Sequence, residues 1–179
     1  WISSFPGRPP LKQAIWICDY YGGLMGEVAV LAALHHRRKT GKGQFIEMSQ
    51  SENIMRTMGW VWPYQQLAQK GVEPAGNRDQ CICPADTFLC KDGLLAAVAA
   101  PAPDEFLGLC KAMGKAELAK DPRFADHAVR LQDANALAIL KIIADWARTV
   151  TADEVENLGK QYGFAATRLH NAVDMNEDP

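Results

Sequence analysis

Residues 19–44 of this 179-residue chain read DYYGGLMGEVAVLAALHHRRKTGKGQ, and this stretch decides how the fold is interpreted. Positions spaced at i, i+4, i+7 and i+11 form one face of a helix predicted over Asp19–Lys39: Leu24, Val28, Leu31 and His35. Basic residues in the last turn, with Gly41 beyond them, are what the helix dipole and a left-handed C-cap favour. The stretch therefore predicts one long helix that ends at a glycine cap.

The segment after this helix predicts a strand and a second helix. Gln44–Met48 partly alternates in polarity, as a short strand does, and Ser49 with Glu52 forms a capping-box pattern that starts the next helix. We expect this helix to run into the high sixties with a kink or break at Pro63. Its aromatic middle, residues 60–64, fits either a packing surface or a ligand platform.

The composition changes in the loop-like stretch Gly71–Cys83, which is the predicted domain boundary. Beyond it, apolar runs at Ala85–Cys90 and Leu94–Ala99 are joined by a Lys-Asp-Gly turn, which predicts a hairpin. Terminal signals predict a helix from Pro103 to Gly114. Asp133 is predicted to cap a helix that runs to Ala147, and apolar spacing turns four of its residues inward: Ala136, Leu140, Ile143 and Ala147. A capping box of Thr151 and Glu154 predicts a helix that ends at Gly163, and a last strand is predicted within Phe164–Leu169. The predicted fold class is α/β.

Composition and charge exclude several classes of function. The chain has 19 Lys and Arg against 21 Asp and Glu, so no nucleic-acid partner is expected. The longest apolar run, Leu94–Ala100, is far shorter than the roughly 20 residues that span a bilayer, so we expect no membrane segment. Five unevenly spaced cysteines predict reduced thiols and a cytoplasmic protein rather than a disulfide framework.

Cys81 and Cys83 form a close pair that raises the question of a metal site. Zinc sites need further Cys or His ligands at comparable spacing, and His127 and His170 lie far along the chain. We therefore expect structural thiols and no bound metal. A small metal-binding domain that uses the two cysteines is the alternative.

Asp19 is a candidate for a chemical role. Directly before the predicted helix, its carboxylate fits an N-cap that accepts hydrogen bonds from free backbone N–H groups. The same position would hold a charged carboxylate in place, while Gly22 and Gly23 would let a bulky ligand approach the backbone. Phosphate-loop, dinucleotide, serine-elbow and zinc-protease motifs are absent from the sequence, so the residues alone leave both interpretations open.

Several motifs together resemble the class III CoA-transferase family, of the CaiB/BaiF type. The Asp-Tyr-Tyr-Gly-Gly start and the Thr-Gly-Lys-Gly-Gln end of residues 19–44 are the most specific part. The other motifs follow in the family's order: Gly76–Asp79, Asp92-Gly93, Asp121–Phe124 and Gly163–Ala166. The resemblance covers nearly the whole chain.

The resemblance implies a longer protein, which agrees with an opening at Trp1 that is turn-rich and has no leader pattern. On the family's architecture, residues 1–50 would belong to a Rossmann-like large domain and residues 51–75 to a linker helix. Residues 76–171 would form a small α+β domain, and residues 172–179 would begin a return linker. Two subunits would interlock as a homodimer, with a heteromer as the alternative.

The resemblance also implies a mechanism in which Asp19 is a nucleophile. Its carboxylate would attack an acyl-CoA thioester, form a mixed anhydride, and then carry coenzyme A as an aspartyl thioester until a carboxylic acid accepts it. Coenzyme A enters as part of the substrate, and no cofactor is expected. The expected substrate-binding residues are Gly22, Gly23, Gly76 and Asn77. Some members cover the intermediate with a glycine-rich loop, whereas residues 76–80 here hold a single glycine.

Two alternatives share the same fold. In the racemase branch, Asp19 would be one of two acid/base groups that act on the α-carbon of an acyl-CoA, with a histidine partner upstream of Trp1. A non-catalytic subunit would keep the fold without the activity. The Tyr20-Tyr21 pair favours the transferase, and the presence of Asp19 argues against a decayed site.

Overall fold

The computed structural model describes residues 4–12, 14–69 and 71–177, which form two compact units divided between Gly76 and Asn77. The described part of the first unit contains helices, and the second unit combines helices with a three-stranded sheet. This mixture of helix and strand fits the predicted α/β class at a coarse level, although the sheet is antiparallel.

Helix α1 covers Ile17–Thr40 and is 24 residues long. It begins two residues before the predicted start, because Trp16 occupies the N-cap position. Its end agrees with the prediction: Gly41 has a left-handed φ of 71°, and its N–H donates to the carbonyl of Arg37 at 2.8 Å. The predicted helix and its glycine cap are confirmed.

The predicted buried face of α1 is open within the first unit. No residue of the helix is buried, and Leu24, Val28 and Leu31 are each more than half exposed. By length and composition alone α1 is apolar enough to cross a membrane, a test that core helices of soluble proteins also pass. Charged residues such as Asp19 and Glu27 interrupt its apolar residues, so the length of uninterrupted apolar runs does not reveal this helix.

The segment 44–48 does not form the predicted strand. It pairs with no other described residue, and an extended segment becomes a strand only where a neighbouring backbone completes the ladder. The capping residue after it is confirmed: Ser49 precedes α2 (Gln50–Met55), and its Oγ accepts the N–H of Glu52 at 3.4 Å.

The helix after Ser49 breaks earlier than predicted. A 3-10 turn at Arg56–Met58 separates α2 from α3, which covers Val61–Ala68. Pro63 lies in the first turn of α3, where a helical residue has no intrahelical acceptor for its N–H. The proline is therefore accommodated near the start of a helix rather than breaking one.

The sheet of the second unit is a hairpin extended by one strand. Strand β1 (Ala85–Leu89) pairs antiparallel with β2 (Leu95–Ala99), and β2 pairs antiparallel with β3 (Ala165–Arg168). Gly93 has a φ of 80° in the hairpin turn, a conformation that favours glycine. The predicted hairpin and final strand are confirmed, with ends that differ by one residue.

Helices cover the inner face of this sheet, where Phe88 and Val98 are buried. Residues of α4 (Pro103–Ala112), α6 (Asp133–Ala147) and α7 (Ala152–Tyr162) form the core with them. The described part of the second unit also contains α5 (His127–Arg130) and α8 (Ala172–Glu177). The predicted capping box of Thr151 and Glu154 is confirmed, and the inward residues predicted for α6 are buried. One detail was wrong: Gln132 is the N-cap of α6, and Asp133 is its first helical residue.

Arg130 is a charged residue inside this core, with 0% of its surface exposed. Its Nε, Nη1 and Nη2 donate to the carbonyls of Cys83, Phe124 and Pro101 at 2.9, 2.6 and 2.7 Å. The guanidinium carbon lies 4.0 Å from the centre of the Phe106 ring. One side chain therefore ties three separate backbone segments together.

Candidate active site

Asp19 lies in the first turn of α1, three residues after Trp16. The N-cap interpretation of Asp19 is therefore wrong: its own N–H donates to the carbonyl of Trp16 at 3.1 Å, as in a residue within the helix. The carboxylate thus lies in the first turn of the helix, near the positive end of the helix dipole. The side chain is exposed within the first unit.

Trp16, Asp19 and Tyr20 line an open recess of about 440 Å³ at the start of α1. The two aromatic residues are 70% and 65% exposed, so apolar surface flanks the carboxylate. Gly23 leaves the neighbouring backbone open, since a Cβ there would meet nothing within 4 Å. The arrangement suits a ligand that combines an apolar part with a group able to react with a carboxylate.

Gln50 holds one oxygen of this carboxylate. Its Nε2 donates a hydrogen bond to Oδ1 of Asp19 at 3.0 Å, across 31 residues of chain. A Cβ on Gly22 would lie 3.3 Å from Cγ of Gln50, so the glycine leaves room for the glutamine side chain. The sequence did not point to Gln50, because only the fold of the first unit brings it to Asp19.

The other predicted binding residues, Gly76 and Asn77, lie on either side of the division between the units. Gly76 has a φ of 69°, its N–H donates to the carbonyl of Ser4 at 3.0 Å, and a Cβ there would lie 3.0 Å from the ring of Phe5. Backbone conformation and space both require glycine at this position. Asn77 donates through Nδ2 to Oγ1 of Thr87 at 2.7 Å within the second unit.

The loop that follows Asn77 is anchored by side chains. Arg78 pairs with Asp133 at 2.9 Å, and Oδ1 of Asp79 accepts the N–H groups of Cys81 and Ile82 at 2.6 and 3.0 Å. These contacts fix the loop to the second unit and to its own turn. The single glycine and the anchors favour a fixed segment over a glycine-rich lid.

The thiols and imidazoles do not converge on a metal site in the part of the chain that the structure describes. Cys81 is exposed and Cys83 is buried, and in both cases desolvation raises the pKa of the thiol. Nε2 of His127 accepts the N–H of Cys83 at 3.3 Å, so this imidazole already serves a backbone contact. The sequence did not suggest that His127 and Cys83 meet.

Comparison with known proteins places these features in one family. The model of "CoA-transferase family III" matches residues 1–179. A succinyl-CoA–D-citramalate CoA-transferase from Chloroflexus aurantiacus is 34% identical over 178 residues, which are 99% of this chain and 44% of that protein. The beta subunit of a succinyl-CoA–L-malate CoA-transferase from the same organism is 34% identical, over 98% of this chain and 43% of that subunit.

A solved structure supports the same relationship. A CAIB/BAIF family protein from Brucella suis is 28% identical and matches with a TM-score of 0.75, over 99% of this chain and 46% of that one. The chain thus spans less than half the length of the relatives it matches. The resemblance drawn from the motifs is confirmed, and the chain belongs to CoA-transferase family III.

Proposed function

We propose that the protein containing this chain transfers coenzyme A from an acyl-CoA to a carboxylic acid, with Asp19 as the covalent nucleophile. The position of Asp19 carries the proposal: it is a first-turn carboxylate on an aromatic recess, with one oxygen held by Gln50. Family membership supports it, and the two relatives from Chloroflexus aurantiacus are named as CoA-transferases.

The reaction begins when a carboxylate oxygen of Asp19 attacks the carbonyl carbon of the thioester. The C–S bond breaks, CoA leaves as the thiolate, and a mixed anhydride joins Asp19 to the acyl group. The thiolate then attacks the aspartyl carbonyl, the anhydride C–O bond breaks, and the donor acid leaves. The acceptor carboxylate attacks the resulting aspartyl-CoA thioester, and the same two steps run in reverse.

The chemistry needs neither a general base nor a cofactor. A carboxylate is ionised at neutral pH, so Asp19 attacks without giving up a proton. Each step exchanges one acyl bond for another, and coenzyme A enters and leaves with the substrates. Water is the competing nucleophile, because it would hydrolyse the anhydride and the aspartyl thioester. The exposed carboxylate in the first unit must therefore be covered in the working enzyme.

The relatives suggest the first substrates to test. Their names specify succinyl-CoA as donor and D-citramalate or L-malate as acceptor. Each of these molecules carries a free carboxylate in addition to the carbonyl group that exchanges coenzyme A. We propose a succinyl-CoA donor and a small hydroxydicarboxylic acceptor for this protein. A panel of acyl-CoA donors and mono- and dicarboxylic acids, assayed by CoA-ester exchange, tests this choice.

We also propose the family architecture and a cytoplasmic location for the whole protein. Residues 1–50 would belong to a Rossmann-like large domain, and residues 51–75 would form a linker helix. Residues 76–171 would form a small α+β domain, and residues 172–179 would begin a return linker. Two subunits would interlock. One relative is a beta subunit, so light scattering should be performed on the protein alone and with any co-purifying partner. Fractionation of cells into membrane and soluble material tests the location.

Mass spectrometry of the full-length protein tests the nucleophile. After mixing with acyl-CoA and rapid quenching, we expect a CoA thioester on the peptide that contains Asp19, and none in Asp19→Ala. Asp104→Ala is the matched control, because Asp104 is an exposed first-turn carboxylate of α4. Proven turnover with an unmodified Asp19 peptide would refute the mechanism. Loss of stereochemical purity in an acyl-CoA without any acceptor acid would point to the racemase branch instead.

A further inference from the structure

Gln50 reaches the reacting carboxylate from the start of α2. Its Nε2 lies 3.0 Å from Oδ1 of Asp19, and its Cγ lies 3.3 Å from the position that a Cβ on Gly22 would occupy. The glycine therefore leaves room for the glutamine side chain beside α1. An N–H donor on one oxygen makes the two oxygens of the carboxylate inequivalent.

We infer that Gln50 is a catalytic residue that stabilises negative charge on Oδ1 of Asp19, an inference that rests on the proposed function. With Oδ1 held by the amide, Oδ2 attacks the donor and becomes the bridging oxygen of the anhydride, and Oδ1 remains the carbonyl oxygen. When the CoA thiolate forms its C–S bond to the aspartyl carbonyl, the carbonyl electron pair moves onto Oδ1. Collapse restores the carbonyl and expels the donor acid together with Oδ2.

The amide of Gln50 is thus placed where charge develops on the enzyme. A neutral N–H donor aimed at an oxyanion acts in the same way as one member of an oxyanion hole. The acceptor carboxylate later attacks the same aspartyl carbonyl and again drives charge onto Oδ1. The attack of Asp19 on the donor differs, because there the charge develops on the substrate's own oxygen.

This difference predicts which measured quantities change. Gln50→Leu in the full-length protein should lower kcat by about 10²–10³-fold, the usual effect of removing one oxyanion donor, and leave the KM for the acyl-CoA unchanged. Quenched-flow mass spectrometry should show the same loss in the rate of aspartyl-CoA formation. Gln65→Leu is the matched control, because Gln65 is an exposed glutamine on α3 of the same unit, and its activity should equal that of the wild type.

Gln50→Glu separates a donor role from a structural one. The substituted side chain has the same length and loses the N–H, but a protonated glutamic acid can donate in its place. Next to Asp19 the two carboxyl groups share a proton as the pH falls, since both cannot readily ionise side by side. The activity of Gln50→Glu relative to the wild type should therefore rise toward acid pH. A structural role predicts a ratio that is independent of pH.

The outcomes distinguish this inference from the proposed function. If Gln50→Leu folds and turns over like the wild type, or if the Gln50→Glu ratio does not change with pH, Gln50 is not an oxyanion donor. If Gln50→Leu does not fold, the pH profile of Gln50→Glu decides. If the wild-type enzyme turns over without an aspartyl-CoA on the Asp19 peptide, the proposed function itself fails.

Discussion

Replacing Arg130 by methionine tests the account of the second unit's core. Methionine has a similar volume and an unbranched side chain, but it is shorter than arginine and has no N–H donor. The carbonyls of Cys83, Phe124 and Pro101 then lose their partner, and the guanidinium no longer lies over the ring of Phe106. Burial already lowers the pKa of Arg130, yet a guanidinium stays charged at any working pH.

The magnitude follows from the solvent exposure of the three acceptors. Cys83 is 2% exposed and Phe124 is 0% exposed, so water cannot readily replace the donor there, whereas Pro101 is only half-buried. Each of the two buried carbonyls left without a donor lowers the free energy of unfolding by about 1–3 kcal/mol, and the lost cation–π contact lowers it further, by about 1–2 kcal/mol. The guanidinium's own desolvation cost is recovered and offsets part of this loss, so the net loss is about 2–4 kcal/mol.

Urea unfolding of the full-length protein measures this loss, with Trp146 on α6 as a fluorescent reporter within the unit. Arg123→Met is the matched control, because the guanidinium of Arg123 likewise lies over an aromatic ring, that of Phe124, at 4.7 Å. Unlike Arg130, it is mostly exposed and paired with Asp121. The control should leave the unfolding midpoint nearly unchanged. If the two variants unfold at the same urea concentration, the hydrogen bonds of Arg130 do not hold this core together.

Three further predictions concern the same unit. A side-chain hydrogen bond from Lys160, the largest of several causes, lowers the pKa of Glu156 from 4.5 to about 2. The lowered pKa means that the ionised carboxylate stabilises the fold fully above pH 4.5 and loses this effect as the pH falls toward 2. The melting temperature of Glu156→Gln should therefore be lower than that of the wild type at pH 7 and equal to it in acid, and an equal difference at both pH values would contradict this. A Cβ on Gly159 would lie 2.8 Å from a side-chain carbon of β3 and 2.9 Å from a carbonyl oxygen, so Gly159→Ala should lose about 1–3 kcal/mol in urea unfolding; an unchanged midpoint would contradict this close packing. Burial raises the pKa of Cys110 to about 11, so a thiol reagent should label it far more slowly than the exposed Cys81, and equal rates would refute its burial.

The elements that the sequence predicted well are those specified by local chemistry. Gly41 ends α1, Gly93 turns the hairpin, and the Thr151 capping box starts α7, because each depends on backbone conformation or on hydrogen bonds within a few residues. The most specific family motif, residues 19–44, likewise lies in one continuous stretch. Such local patterns can be recognised in the sequence without any knowledge of the tertiary contacts.

The features that escaped prediction depend on contacts between distant segments. Gln50 meets Asp19 across 31 residues, and Arg130 reaches Cys83 across 47. The predicted strand at 44–48 failed for the related reason that alternation in polarity does not supply a partner strand. Composition cannot show which polar side chain will bond to which acceptor, so the contacts of the buried Arg130 and of Gln50 beside Asp19 were found only in the structure.

Stability and proposed chemistry depend on different residues of this chain. The second unit has its own buried core and a fully buried Arg130, whereas α1 exposes both its apolar face and the carboxylate at its start. Variants in that core should therefore change unfolding while leaving the chemistry of the surviving folded enzyme intact. A change at Gln50 should do the opposite, because its hydrogen bond lies on an exposed turn and gains its value only when charge develops on Asp19. Measuring kcat and unfolding on the same set of variants separates the two contributions, and parallel losses in both would show that Gln50 acts only through the fold.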